Sequence, residues 1–173
     1  MKKILLALAF VFCAASVSAQ GWGLGGRITG GIQAQVEYTF SSENYIEGRV
    51  GLGGLFDNHL GLDVTAIYQW NIGQWDWTPK AGTWFFDAGV GASGGFWNAA
   101  DKINNEIDGT SVHYNYGYLG VTGCAKFGIK FNGAPVKLAI DYSPTIGPWF
   151  GHKDSGFRTS GFYNFGLSCV YCF

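Results

Sequence analysis

The chain has 173 residues, enough for one domain, and it contains 28 Gly, 14 Phe, 9 Tyr and 7 Trp. Charged residues make up 13% of the chain and the formal net charge is −1, whereas soluble domains usually have about 25% charged residues. High aromatic content with few charges excludes intrinsic disorder. The lack of excess positive charge excludes nucleic acid as a partner.

The N-terminal segment has the features of a secretory signal peptide. Two lysines follow the first methionine, residues 4–15 are an apolar run, and residues 17–19 are the small residues Val-Ser-Ala. A membrane anchor is the alternative, but a spanning helix needs about 20 apolar residues and this run is shorter. We therefore predict that residues 1–19 are cleaved and that residues 20–173 form one exported domain.

Alternating apolar and polar residues are the main structural signal in the rest of the chain. No later apolar run is long enough for a transmembrane helix, and the other structure that spans a bilayer is a closed β-barrel. Residues 32–40, 60–70 and 136–146 alternate with the period of a strand that has one apolar face. Five further strands are predicted at residues 22–29, 45–56, 83–96, 116–131 and 162–173. The predicted fold is all-β, an eight-stranded antiparallel up-and-down transmembrane β-barrel.

Charged residues fall on one face of these predicted strands. Read strand by strand, the alternation places five basic and five acidic residues inside the barrel and none outside. We predict that they form a salt-bridged network that fills the lumen, because an unpaired buried charge is costly. A soluble β-sandwich also alternates, but it should carry more Lys and Glu on its water-facing surface. The predicted network consists of Arg27, Glu37, Glu47, Arg49, Asp63, Asp87, Lys126, Lys130, Lys137 and Asp141.

The connections between predicted strands differ in length. Residues 41–44 and 132–135 have the composition of tight turns, whereas residues 97–112 and 147–160 are predicted to be long polar loops. With the N-terminus of the mature domain in the periplasm, the tight turns are periplasmic and the long loops extracellular, as in bacterial barrels. These two loops are the expected surface for an extracellular ligand. The pattern does not place the turn within residues 71–82.

Aromatic residues cluster near the predicted strand ends, as expected at the two interfaces of a membrane. A hydrophobic core with scattered aromatic residues is the weaker alternative, because it does not explain this clustering. The periplasmic group includes Tyr38, Phe40, Tyr68, Trp70, Trp84, Phe86, Phe127, Phe131, Tyr171 and Phe173. The group at the other rim includes Phe56, Phe96, Trp97, Trp149, Phe150 and Tyr163.

The last predicted strand has apolar residues at every second position and ends in Phe173. Together with the signal peptide and the alternating strands, it makes the chain resemble the small eight-stranded outer-membrane barrels of Gram-negative bacteria, which include the OmpX-like and OmpW-like families and the OmpA transmembrane domain. The resemblance implies location in the cell outer membrane and contact with outer-membrane lipid. It also implies that Tyr171 and Phe173 signal to the barrel assembly machinery. It covers residues 20–173 and is one of pattern.

Other candidate sites are weaker. The glycine-rich residues 51–54 and 89–95 do not lead from a strand into a helix, as a nucleotide-binding loop does, so no cofactor is expected. The histidines are scattered without metal-ligand spacing. Cys124, Cys169 and Cys172 are expected to be free thiols, because a disulfide requires Cα atoms within about 7 Å.

We therefore expect a monomeric integral outer-membrane barrel without catalytic residues, cofactor or metal, and with a structural or surface-interaction role. The first alternative is a narrow porin-like channel for small solutes, which requires an unobstructed lumen. The second is a lipid-modifying enzyme. It would require the consecutive polar residues 152–155 to converge on one substrate atom.

Overall fold

The computed structural model describes residues 21–41, 43–53, 61–102, 111–151 and 155–173. The predicted signal peptide lies outside the described residues. No described helix is long and apolar enough to cross a membrane. The described residues form ten strands: β1 (Trp22–Ile28), β2 (Gly31–Thr39), β3 (Asn44–Gly53), β4 (Gly61–Thr78), β5 (Gly82–Lys102), β6 (Ser111–Phe131), β7 (Val136–Tyr142), β8 (Thr145–Phe150), β9 (Ser155–Gly161) and β10 (Phe165–Cys172).

The ten strands form a closed barrel with eight strand positions. β7 and β8 both pair with β6 in a single register, and only Ser143 and Pro144 interrupt them. They therefore make one barrel strand, and β9 and β10 make the next by pairing with β8 and β7. Each of the eight barrel strands pairs antiparallel with the barrel strand that follows it in the chain. Pairing of β1 with β10 closes the ring. The prediction of an eight-stranded antiparallel up-and-down barrel is confirmed.

Side chains alternate between the lumen and the outer surface because successive residues of a strand point to opposite faces. In β2, Gln33, Gln35 and Glu37 are buried, whereas Ile32 and Val36 between them are exposed. The polar side chains therefore fill the inside of the barrel and the apolar side chains cover the outside. This is the reverse of the arrangement in a water-soluble protein.

Several strands are longer than the sequence predicts. Residues 97–112 and 147–160 were expected to be loops, but β5 continues to Lys102, β6 begins at Ser111, and β8 and β9 occupy most of the second segment. The polar side chains in these segments do not prevent strand formation, because each backbone pairs with that of its neighbour. Residues 103–110 and 152–154 of these predicted loops lie outside the described residues.

The turn within residues 71–82 lies at its far end. β4 extends to Thr78, and the backbone N–H of Ala81 donates a hydrogen bond to the carbonyl of Thr78 at 2.8 Å. The pairing of β4 with β5 shifts register at residues 71–73 and again at 75–78. Such irregularities break the two-residue period, which is why alternation alone could not place this turn.

The two ends of the barrel have different connections. The first end, called the terminal end here, contains residues 22 and 173 and the turns that join β2 to β3, β4 to β5 and β6 to β7. The opposite end, called the loop end, contains the turn between β1 and β2, the end of β5, the start of β6, the end of β8 and the start of β9. The strands differ in length, since β5 and β6 have 21 residues each and β1 has 7. The β5–β6 hairpin therefore extends farther along the barrel axis than β1 does.

Glycines on the inward face allow the strands and lumen side chains to approach closely. A Cβ atom at Gly91 would overlap the carbonyl oxygen of Ala66 and lie 2.7 Å from the Cα of Ile67. Both are backbone atoms of the adjacent strand β4, so a larger residue at position 91 would displace the strand pair. The glycine-rich segment of β5 is therefore explained by packing.

We expect Gly91→Ala to lower the free energy of unfolding by about 1–3 kcal/mol, the usual cost of overpacking. Gly133→Ala is the matched control, because a Cβ at this turn residue would meet no atom within 4 Å. Urea unfolding of both refolded variants, followed by tryptophan fluorescence, measures the difference. Equal stability of the two variants would contradict the proposed close approach.

Candidate functional site: the charged lumen

Most of the predicted inward charges are almost completely buried. Arg27 and Glu47 are 0% exposed, Arg49 and Lys126 are 2% exposed, and Glu37, Asp87 and Asp141 are equally inaccessible. They come from β1, β2, β3, β5, β6 and β7, so every side of the barrel except β4 and β10 contributes one. Burial of this many charges in one small lumen requires partners for them.

The first part of the network lies between β1, β3 and β7. The guanidinium of Arg27 contacts the carboxylate of Asp141, with Nε 2.9 Å and Nη2 2.7 Å from Oδ1. Arg49 approaches the same carboxylate from the opposite wall, at 3.7 Å. Ser143 bridges the two, since its hydroxyl accepts a hydrogen bond from Arg49 at 2.8 Å and donates one to Asp141 at 3.0 Å. These contacts join strands that do not pair with each other.

The second part of the network lies between β2, β3, β6 and β7. Arg49 also pairs with Glu47, whose Oε2 is 2.6 Å from the Nζ of Lys126. Lys126 pairs in turn with Glu37 at 3.1 Å, and Glu37 pairs with Lys137. The ion pairs thus run without interruption from Arg27 to Lys137 and cross the lumen repeatedly. The chain of contacts ties opposite walls of the barrel together.

The remaining three predicted residues have other surroundings. Asp63 accepts a hydrogen bond from the amide of Gln33 at 2.6 Å. Asp87 accepts hydrogen bonds from the hydroxyl of Tyr45 and from the amide of Asn71, each at 2.7 Å. Lys130 is exposed at the terminal end. The ion pairs described above thus join seven of the ten predicted residues, and neutral groups donate hydrogen bonds to Asp63 and Asp87.

Sequence reasoning missed the neutral residues that complete the lumen. Gln33 accepts a hydrogen bond from Arg27 at 2.9 Å, Gln35 donates one to Glu37 and Gln69 donates one to Glu47. All three glutamines lie at inward positions of their strands, so the signal was present in the alternation. The predicted network contained only charged residues and so omitted these glutamines.

An open cavity of about 160 Å³ occupies the terminal end of the lumen. Tyr45 and Phe85 line it and are each 6% exposed, and Lys137, which also lines it, pairs with the buried Glu37. The Nζ atoms of Lys126 and Lys137 lie 5.6 and 4.9 Å from the centre of the Tyr45 ring, which is within the range of a cation–π contact. The cavity is called the terminal cavity below, and its lining includes Thr39, Ser41, Glu43, Asn44, Asn71, Gln74, Thr83, Asp87, Lys130 and Lys137.

The outer surface carries a belt of exposed aliphatic side chains. Each barrel position contributes at least one of them, and the buried charged residues of β1, β2, β3, β5, β6 and β7 lie on the opposite, inward face. The belt is 37–61% exposed and is far larger than the scattered apolar residues of an ordinary protein surface. It includes Ile28, Val36, Val50, Val64, Val90, Val121, Ile140 and Leu167.

Aromatic side chains pack against one another at the terminal end, on the outer surface. Trp84 stacks on Phe127 with ring centres 5.4 Å apart, and Trp22 packs on Tyr38 at 4.7 Å. Tyr171 and Phe173, the residues of the expected assembly signal, contact each other edge to face at 5.1 Å. They lie at the same end, where the backbone N–H of Phe173 donates a hydrogen bond to Trp22 at 2.8 Å.

The aromatic residues at the loop end are arranged differently from the prediction. Trp97 and Trp149 were expected in the aromatic group at this rim. They lie at this end of the barrel but at inward positions, where the ring of Tyr116 packs against both, at 5.5 and 5.7 Å. Phe96 and Phe150, their neighbours in sequence, are the outward residues and are 61% and 51% exposed. Aromatic residues are compatible with both faces, so their identity did not fix the register here.

The three described cysteines are separate thiols at different depths. Cys124 is buried in the lumen, 3.5 Å from Arg49 and 3.4 Å from the hydroxyl of Ser143. Cys169 is exposed on the outer surface and Cys172 is partly buried at the terminal end. Within the described residues, no group of three or more His, Cys, Asp and Glu side chains is arranged to hold a metal ion.

Comparison with protein-family models, curated proteins and solved structures finds no match for this chain. The fold and the lumen define it as a closed eight-stranded antiparallel β-barrel with a polar, charged interior.

Proposed function

We propose that the protein is an integral outer-membrane β-barrel whose lumen is closed by its own side chains. The observation that carries this proposal is the inverted polarity of the barrel. Charged residues such as Arg27 and Glu47 are buried inside, while aliphatic residues such as Val50 and Val64 are exposed outside. An apolar belt of this size in water would favour aggregation, whereas lipid is a favourable environment for it.

Strand length supports the same proposal. β2 and β3 have 9 and 10 residues, and about 9–11 residues are needed for a tilted strand to cross the apolar layer of a bilayer. The barrel is closed, so the paired backbone groups at membrane depth have partners within the protein. The paired aromatic residues at the terminal end fit the position of a membrane interface.

The role that fits a closed lumen is structural or surface-interacting. The ion pairs of Arg49 and Lys126 are buried inside the barrel, and the buried ring of Tyr45 lies next to Lys126. The loop-end hairpins, residues 97–112 and 147–160, are then the surface for an extracellular ligand.

Outer-membrane lipid and the barrel assembly machinery are the other proposed partners, the latter through Tyr171 and Phe173. The barrel is proposed to act as a monomer without enzymatic activity.

A narrow channel is the alternative, and planar-bilayer recording of the purified protein tests it. We expect no reproducible single-channel steps from the unmodified barrel, because the cross-lumen ion pairs leave no continuous path. Arg49→Ala removes a side chain that contacts both Glu47 and Asp141, so it should raise any conductance if a path exists. Steps in the unmodified protein that change in this variant would establish the channel and refute the closed lumen.

A further inference from the structure

The terminal cavity contains two lysines that face each other on adjacent strands. Lys130 of β6 is the direct register partner of Lys137 of β7, and both side chains line the cavity. Like charges at directly opposite positions destabilise a strand pair unless an anion lies nearby. This pair is therefore unfavourable by itself and favourable with a counterion.

Among the described residues, only one of the two lysines has a counterion. Lys137 pairs with Glu37, whose other partner is Lys126. For Lys130, no carboxylate in the described part of the chain forms an ion pair. The cavity therefore has an ammonium group that is available to a ligand, next to a second ammonium group that is only partly neutralised.

Two carboxylates line the cavity beside this pair, and one of them, Glu43, lies across the lumen from it. Glu43 belongs to the turn before β3, and β3 and β7 are four positions apart in the ring of eight, on opposite walls. Asp87 is buried and accepts hydrogen bonds from Tyr45 and Asn71, and its carboxylate also interacts electrostatically with Lys137. An anion at Lys130 and Lys137 would thus be distant from Glu43, whose charge weakens its binding without blocking it.

We propose that the terminal cavity binds a small oxyanion, a phosphate or carboxylate group, between Lys130 and Lys137. Two ammonium groups on one wall supply charge-assisted hydrogen bonds, and the hydroxyls of Thr39 and Thr83 line the same space. The cavity volume of about 160 Å³ corresponds to about five water molecules at about 30 Å³ each. It fits a phosphate with part of its hydration shell and is too small for a drug-sized ligand.

Phosphorus-31 NMR with inorganic phosphate tests this site in the refolded barrel, in a maltoside detergent without phosphate groups. We expect saturable line broadening, and about tenfold weaker binding in Lys130→Gln, because one charge-assisted contact is lost. Lys80→Gln is the matched control, since Lys80 is exposed on the turn after β4 and does not line the cavity. It should bind phosphate as the unmodified protein does.

Glu43→Gln is expected to change the phosphate affinity in the opposite direction to Lys130→Gln. Removing this carboxylate from the opposite wall should strengthen phosphate binding, because the repulsion of the anion is reduced. Lys130 and Glu43 are both exposed, so neither variant depends on a buried contact for folding. Phosphate binding that is the same in Lys130→Gln and Lys80→Gln, or absent from the unmodified protein, would overturn the proposal.

The oxyanion could come from solution or from a lipid headgroup, and a second arm separates these sources. Phosphate affinity is compared in phosphatidylcholine liposomes with and without an added anionic phospholipid. Equal affinity in the two membranes assigns the site to a soluble anion. A competitive loss of phosphate binding in the anionic membrane, with Lys130→Gln no longer sensitive to the lipid, assigns it to the headgroup.

Discussion

Val64→Arg is expected to lower the free energy of unfolding in a bilayer by about 2–4 kcal/mol, the cost of a basic side chain near the midplane. Val64 is 50% exposed in the outward belt and pairs with Val50, which is equally exposed. In a water-facing barrel, the same exposed position would accept arginine with a change within about 0.5 kcal/mol. The substitution therefore distinguishes a lipid-facing surface from a hydrated one.

The measurement is urea unfolding from liposomes, with the folded fraction read from gel mobility without heating. Val64→Thr is the matched control, since it keeps the shape of the side chain and adds no charge. Thr65→Arg is a second comparison, because Thr65 is buried and its hydroxyl lies 3.1 Å from that of Ser93, so arginine there would crowd the lumen. A Val64→Arg protein as stable as Val64→Thr would contradict the membrane proposal.

Glu47→Gln is expected to destabilise the barrel by about 3–5 kcal/mol, the usual cost of breaking a buried ion pair. Glu47 is the shared counterion of Arg49 and Lys126, and all three are at most 2% exposed. Glutamine has nearly the same volume, so the loss arises from charge and not from a cavity. Two buried cations would then share the remaining carboxylates of Glu37 and Asp141.

Glu43→Gln is the control for this prediction, because it removes the same charge from an exposed turn. Its effect on unfolding should stay within about 0.5 kcal/mol. The double variant Glu47→Gln with Lys126→Met should recover part of the lost stability, since it also removes one cation that has lost a partner. Equal effects of Glu47→Gln and Glu43→Gln would show that the network contributes little to stability.

The sequence was sufficient to predict the strands and the faces of most residues. A strand has a period of two, so each segment allows only two registers, and a wrong choice would place charges such as Glu47 and Arg49 against the outer surface. The prediction failed where the period was interrupted or ambiguous. The shifted register near Asn71 hid the end of β4, and Trp97 and Trp149 fit either face.

The pairing inside the lumen could not be predicted in the same way. Alternation gives the face of a residue but not its height relative to residues on the far wall, which depends on how the strands are staggered around the ring. Arg27 and Asp141 meet across β10 only because of this stagger. For the same reason, the hydrogen bond between Tyr45 and Asp87 could not be predicted from the alternation.

The seam between β1 and β10 is one of the shortest strand pairings in the barrel. It joins the first and last strands through six residue pairs, whereas β5 and β6 share twenty-one. Contacts so distant in sequence form late in folding, because the entropy of closing the whole chain must be overcome first. Arg27 and Asp141 lie on the two sides of this seam and bond over β10. Their ion pair therefore adds a side-chain contact across the last strand to the short backbone pairing of the seam.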